Sequence, residues 1–129
     1  MDNKLDVKVM PSLNLAFIGD SVYEILVREH LCKLNVGKVG VMNKQKVDMV
    51  CCKAQAEAVK KILPVLTEEE QGVFRRGRNV AVNSASKSSS LADYHAATGL
   101  EALFGYLYLS GREERCRQLF SIITENSNE

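Results

Sequence analysis

The stretch Leu15-Ala-Phe-Ile-Gly-Asp-Ser-Val-Tyr-Glu24 constrains this chain most. Stepped at about 100° per residue, it belongs to a helix over residues 12–33 that is apolar on two sides. One face collects Leu13, Ala16, Phe17, Val27 and Leu31, with Asp20 and Glu24 among them. The opposite face collects Leu15, Ile18, Val22, Ile25 and Leu26. Such a helix packs on two sides, one against its own core and the other against a partner chain. Asp20 is the misfit, because a carboxylate in an apolar face is costly unless it is paired, hydrogen-bonded or bound to a metal.

The remaining pattern is helical. Pro11 precedes the first helix and Ser12 can cap it, leaving residues 1–11 as a loosely held polar tail and 12–126 as one domain. After a turn at Asn35-Val-Gly-Lys-Val-Gly40, helical periodicity runs over 42–63, with a break near Cys51 and an end at Pro64. Thr67-Glu-Glu-Glu70 reads as a capping box whose acids suit the helix dipole. That helix runs to Arg75-Arg-Gly-Arg-Asn79 and is followed by a serine-rich loop, Asn83-Ser-Ala-Ser-Lys-Ser-Ser-Ser90. Helices over 91–109 and 112–126 close the chain, the last turning Cys116, Leu119, Phe120 and Ile123 inward. No period-2 strand pattern and no hairpin signal occurs. The expected fold is an all-α bundle of five to seven helices.

A chain of 129 residues buries roughly two-thirds of its unfolded surface and needs neither disulfide nor structural metal to fold. Cys32, Cys51, Cys52 and Cys116 show no C-x-x-C spacing, and no run approaches the roughly 20 apolar residues of a membrane span. A cytoplasmic protein with reduced thiols is expected. The net charge of +1 means that a highly charged partner must be met by a local patch.

A second misplaced acid lies on the helix over 91–109. Glu101 shares its face with Tyr94, Ala97, Thr98, Gly105 and Tyr108, and the small neighbours allow close approach. If the two helices pack together, Asp20 and Glu101 converge as hard oxygen ligands of the kind Mg²⁺ or Mn²⁺ accepts. The same pattern also fits acids that pair with arginines or cap backbone amides. No Ser-His-Asp arrangement is visible. Arg75, Arg76 and Arg78, with Lys87 in the serine-rich loop, form the densest basic cluster. They suit phosphate contacts that carry no sequence information, or else simply favour a helix C-terminus capped by Gly77. His30, Tyr23 and Tyr94 read as packing or surface residues, and Asp93 as a first-turn acid.

Phe17-Ile-Gly-Asp-Ser-Val22 resembles the signature motif of ribonuclease III, and Leu100-Glu-Ala-Leu-Phe-Gly105 its second acidic motif. Together with Lys53-Ala-Gln-Ala-Glu57, Thr67-Glu-Glu-Glu70 and Arg76-Gly-Arg-Asn79, in order over roughly 12–120, they resemble Mini-ribonuclease III, the short bacterial relative without a separate double-stranded-RNA-binding domain. The resemblance implies a dimeric ribonuclease III catalytic-domain fold. It also implies Mg²⁺-dependent cleavage of double-stranded RNA, with Mn²⁺ as a substitute, in the maturation of precursor 23S ribosomal RNA, where ribosomal proteins on the RNA are further partners. Asp20 and Glu101 take the metal-binding and catalytic positions, and Lys53 and Gln55 lie in a marked motif that fits a role near RNA beside the arginines or, equally, plain surface polarity. Two acids of the longer enzyme are replaced, by Ala16 and Thr98, so the site keeps two of four carboxylates. A catalytically idle RNA-binding module and a plain helical interaction protein are the competing expectations.

Overall fold

Helix α5, Leu91–Leu109, is the central element of the computed structural model, with ten of its residues buried. It is so apolar that no single side can be its solvent face, and the other helices wrap it. The structure describes residues 6–34, 37–80 and 90–125. Around α5 lie α1 (Ser12–Leu34), α3 (Cys52–Ile62) and α4 (Glu68–Val80), while α2 (Val39–Val50) leans on α1 and α6 (Glu113–Thr124) on α3 and α5. No strand occurs among the described residues, so the all-α expectation holds. No described helix is long and apolar enough to cross a membrane. Of the stretch read as a tail, Val7–Val9 form a 3₁₀ turn, and Val7 and Met10 pack on the core.

Two crossings set the geometry. At Gly19 a Cβ would lie 1.7 Å from the Glu101 carbonyl oxygen, and at Gly105 one would lie 2.0 Å from the Leu15 carbonyl oxygen. Backbone therefore meets backbone where α1 crosses α5. The second crossing, α4 on α5, is made at Gly77, where a Cβ would come 2.7 Å from the Ala102 Cβ. Gly77 is thus an interior contact of α4 and not its C-cap.

The expected break occurs at Cys51, whose extended backbone (φ −67°, ψ 159°) separates α2 from α3. The capping box forms as read. The Glu70 amide donates to Thr67 Oγ1 at 3.1 Å and the Thr67 amide to Glu70 Oε1 at 2.9 Å. Glu70 is 2% exposed, and Arg115 of α6 donates to both its oxygens at 2.8 and 2.9 Å and to the Val65 carbonyl at 3.0 Å. Burial works against the Glu70 carboxylate, but the Arg115 and Thr67 hydrogen bonds outweigh it and hold its pKa below the usual value. One glutamate thereby caps α4 and pins α6.

The faces of α1 divide differently from the expectation. Its buried stripe is Leu15, Ala16, Gly19, Val22, Tyr23, Leu26, Val27 and Leu31, drawn from both predicted faces. Leu13, Phe17 and Ile25 are left in solvent, Phe17 at 82% exposure.

Candidate active site

Asp20 follows Gly19 in sequence, and Glu101 contributes the carbonyl that Gly19 allows to approach. The α1–α5 crossing therefore brings the two predicted acids together. Their burial is unequal. Asp20 is exposed, on the flank of the α1 stripe beside Ala16 and Tyr23, and Glu101 is the half-buried partner. The expectation that Asp20 is enclosed by apolar side chains is corrected by the packing: the stripe of α1 turned to α5 runs through Gly19, one residue away around the helix.

Burial, and after it the charge of the neighbouring Asp20 carboxylate, together raise the Glu101 pKa to about 7, against the opposing hydrogen bond from Gln55. Burial, and after it the charge of Glu101, pushes up the Tyr23 phenol, whose ring stacks edge-on against Phe104 and Phe120 at 5.2 and 5.6 Å. Tyr23 is a packing residue, as read from the sequence.

Sequence reasoning gave Gln55 no firm role, and the structure supplies one. Its Nε2 donates to Glu101 Oε2 at 3.3 Å and to the Val50 carbonyl at 2.9 Å, where the break at Cys51 has ended α2. Gln55 is 2% exposed, and its Oε1 is buried without a hydrogen-bond partner, which costs about 1–3 kcal/mol unless a donor or cation arrives. A signal for this role exists in the sequence: Gln55 shares the inward stripe of α3 with Val59 and Ile62, where a polar residue needs a reason.

The two replaced acids stay out of the chemistry. Ala16 is buried, and the Thr98 hydroxyl donates back to the Tyr94 carbonyl at 3.0 Å. Among the described residues no group of three or more His, Cys, Asp or Glu converges. The donor set is two carboxylates with an orphaned amide oxygen nearby. All three are hard oxygen donors, and the mutual repulsion of Asp20 and Glu101 has no cation against it among their described partners. This arrangement fits a divalent cation that keeps several of its waters.

Of the basic residues read from the sequence, those described are spread over α3 and α4. Lys53 is exposed on α3, two residues before Gln55. Arg75 and Arg76 are exposed on α4. Arg76 lines a hollow of about 420 Å³ with Lys8, Glu69, Tyr106 and Arg112. Arg78 lies over the Phe74 ring, 5.6 Å from its centroid, and donates to Asn79 Oδ1 at 3.3 Å. Lys87 and most of the serine-rich loop lie outside the described residues. Asp93 occupies the first turn of α5, which Ser90 caps by accepting from the Asp93 amide at 3.0 Å.

Comparison with known proteins identifies the family of the chain. Residues 13–112 match the family model described as "Ribonuclease III domain". A Mini-ribonuclease 3 of Symbiobacterium thermophilum is 44% identical over 110 residues, covering 85% of each chain. One from Brevibacillus brevis is 41% identical over 126 residues, 95% of this chain and 94% of its own. A crystal structure of a Fusobacterium nucleatum protein superposes with a TM-score of 0.82 at 30% identity, covering 92% of this chain and 94% of that one. Both acids of the α1–α5 crossing lie within the matched span, and the chain belongs to the ribonuclease III domain family as a relative of the Mini-ribonucleases 3, an endoribonuclease.

Proposed function

We propose that the protein is a divalent-cation-dependent endonuclease for double-stranded RNA, working as a cytoplasmic homodimer on precursor 23S ribosomal RNA, with ribosomal proteins on that RNA as further partners. The observation that carries the chemistry is the convergence of Asp20 and Glu101 across the Gly19–Gly105 crossing. Asp20 and Glu101 would hold Mg²⁺, or Mn²⁺ in its place, and the bound ion supplies an activated water and neutralises charge developing on the phosphodiester. Glu101 gives up its proton in that state, and Gln55 steadies the resulting carboxylate by donating to Oε2. Asp20, on the solvent side, is the ligand that an incoming phosphate reaches first. No side chain is needed as a covalent nucleophile.

Lys53, Arg75, Arg76, Arg78 and Lys87 supply phosphate contacts along the duplex. Double-stranded RNA is read mainly through its shape and 2′-hydroxyls, so these contacts need no base specificity. The choice of 23S precursor rests on the ordered sequence motifs. The dimer is supported by exposed apolar side chains of α1: Leu13 and Phe17 line a hollow of about 510 Å³ with Ile18 and Leu109, and Ile25 lines one of about 230 Å³ with Ile18, Tyr108 and Cys116.

Cleavage of a hairpin RNA in Mg²⁺ tests the reading. In Asp20→Asn the rate is expected to fall by more than about 100-fold, since loss of groups that merely support a ligand already costs 10–100-fold. An Asp20→Asn protein that folds, dimerises and cleaves at the wild-type rate would sink the mechanism.

A further inference from the structure

The side-chain amide of Gln55 can stand in only one orientation. Its nitrogen faces two acceptors, the Val50 carbonyl at 2.9 Å and Glu101 Oε2 at 3.3 Å, and a flipped amide would set oxygen against both. The buried orphan is therefore the carbonyl oxygen, Oε1. Nitrogen and oxygen of a planar amide lie about 2.3 Å apart, so Oε1 is within about 5.6 Å of Glu101 Oε2. No described residue donates to it. A cation held by only two protein carboxylates would keep most of its waters, and the polarised O–H groups of those waters would seek acceptors in the protein.

We propose that Gln55 is a positioning residue of the ion site: Nε2, braced on the Val50 carbonyl, fixes Glu101, and Oε1 accepts a hydrogen bond from a water carried by the divalent ion. Gln55 then does, through a water, part of what carboxylates at positions 16 and 98 would do directly. The helix break at Cys51 becomes part of the site, because it frees the Val50 carbonyl that braces the amide. The inference rests on Asp20 and Glu101 forming an ion site, and the test separates the failure of one from the failure of the other.

Mn²⁺ binding is measured by titration calorimetry on wild type, Asp20→Asn, Gln55→Leu and Gln55→Met, with circular dichroism to establish the fold of each. Wild type is expected to bind, Asp20→Asn to lose binding, and both Gln55 variants to bind 10- to 100-fold more weakly. In hairpin cleavage the Mg²⁺ concentration for half-maximal rate rises by a similar factor, and the rate at saturating Mg²⁺ stays within a few-fold of wild type. Gln55 variants that bind Mn²⁺ within twofold of wild type, while Asp20→Asn does not, overturn the role of Gln55 and leave the ion site standing. A fall in saturated rate with no movement of the Mg²⁺ midpoint also overturns it, marking Gln55 as a packing residue. Asp20→Asn binding Mn²⁺ like wild type overturns both readings.

Discussion

At the scale of single residues, the site is a balance of charge and burial that the sequence showed only in part. Two acids on apolar helices were visible in the order of residues, and so was the loss of their companions at Ala16 and Thr98. Which acid is buried was not visible, because a helical wheel gives direction to about one residue in four and not depth. Glu101 took the interior position and Asp20 the rim. The consequence is measurable in the metal-free protein. With a pKa raised from 4.5 to about 7, Glu101 is protonated in both folded and unfolded chains at low pH, and it costs nothing there. As pH rises through 4.5 the unfolded chain releases this proton first, so stability falls until the folded group also ionises near 7, and the loss is constant above that. At about 1.4 kcal/mol per unit the loss approaches 3 kcal/mol, less whatever solvent screening the open side of the site provides. Urea unfolding in EDTA should therefore show wild type losing about 2 kcal/mol between pH 5 and pH 8 relative to Glu101→Gln, with the variant the more stable at pH 8. Saturating Mg²⁺ should narrow that gap. Equal pH profiles for the two proteins would mean that Glu101 is not strained.

At the scale of elements, helix ends were legible and helix contacts were not. Pro11, the break near Cys51, Thr67-Glu-Glu-Glu70 and the extent of α5 are written in local chemistry and hold in the structure, whereas Ser12, read as the cap of α1, is its first helical residue, and the Pro11 carbonyl accepts from the Asn14 and Leu15 amides in its place. The α1–α5 crossing depends on what Gly19 and Gly105 meet, which is a property of two distant segments at once. Single-helix periodicity was also misleading for α1, which is apolar on most of its circumference, so that the buried stripe drew from both predicted faces. Glycines in these helices consequently separate into two kinds. Gly19→Ala would drive a Cβ to 1.7 Å from the Glu101 carbonyl oxygen, and the helices must part. A loss of about 3 kcal/mol or more is expected, at or above the upper range for overpacking, together with loss of Mn²⁺ binding as Asp20 and Glu101 separate. Gly72→Ala meets only the end of the Arg76 side chain at 3.3 Å, which can swing away. It should gain about 0.5–1 kcal/mol from helix propensity. Thermal melting of the two variants side by side checks the contrast, and a Gly19→Ala protein as stable as wild type would contradict the close crossing.

At the scale of the whole molecule, the chain folds around α5 with a core of its own, yet it leaves large apolar side chains in water. Leu13 and Phe17 on α1 line one hollow and Ile25 on α1 with Tyr108 on α5 another, and the two share Ile18. The sequence already pointed to a second packing side of α1, although the residues named for it were partly those of the core. Phe17 contributes most to this surface and least to the core, since it is 82% exposed in the single chain. Covering such a side chain is worth about 1.5–3 kcal/mol, and twice that in a symmetric pair where each copy buries the other's. Phe17→Ser should accordingly leave the helical circular dichroism of the folded chain intact while shifting sedimentation from dimer toward monomer, with the dissociation constant rising by about 100-fold or more. Because a duplex has two strands to be cut, the monomeric form should also lose double-strand cleavage, and raising its concentration should restore both dimer and cleavage together. A Phe17→Ser protein that sediments as a wild-type dimer would place the interface elsewhere, and one that cuts both strands as a monomer would show that a single Asp20–Glu101 site serves each strand in turn.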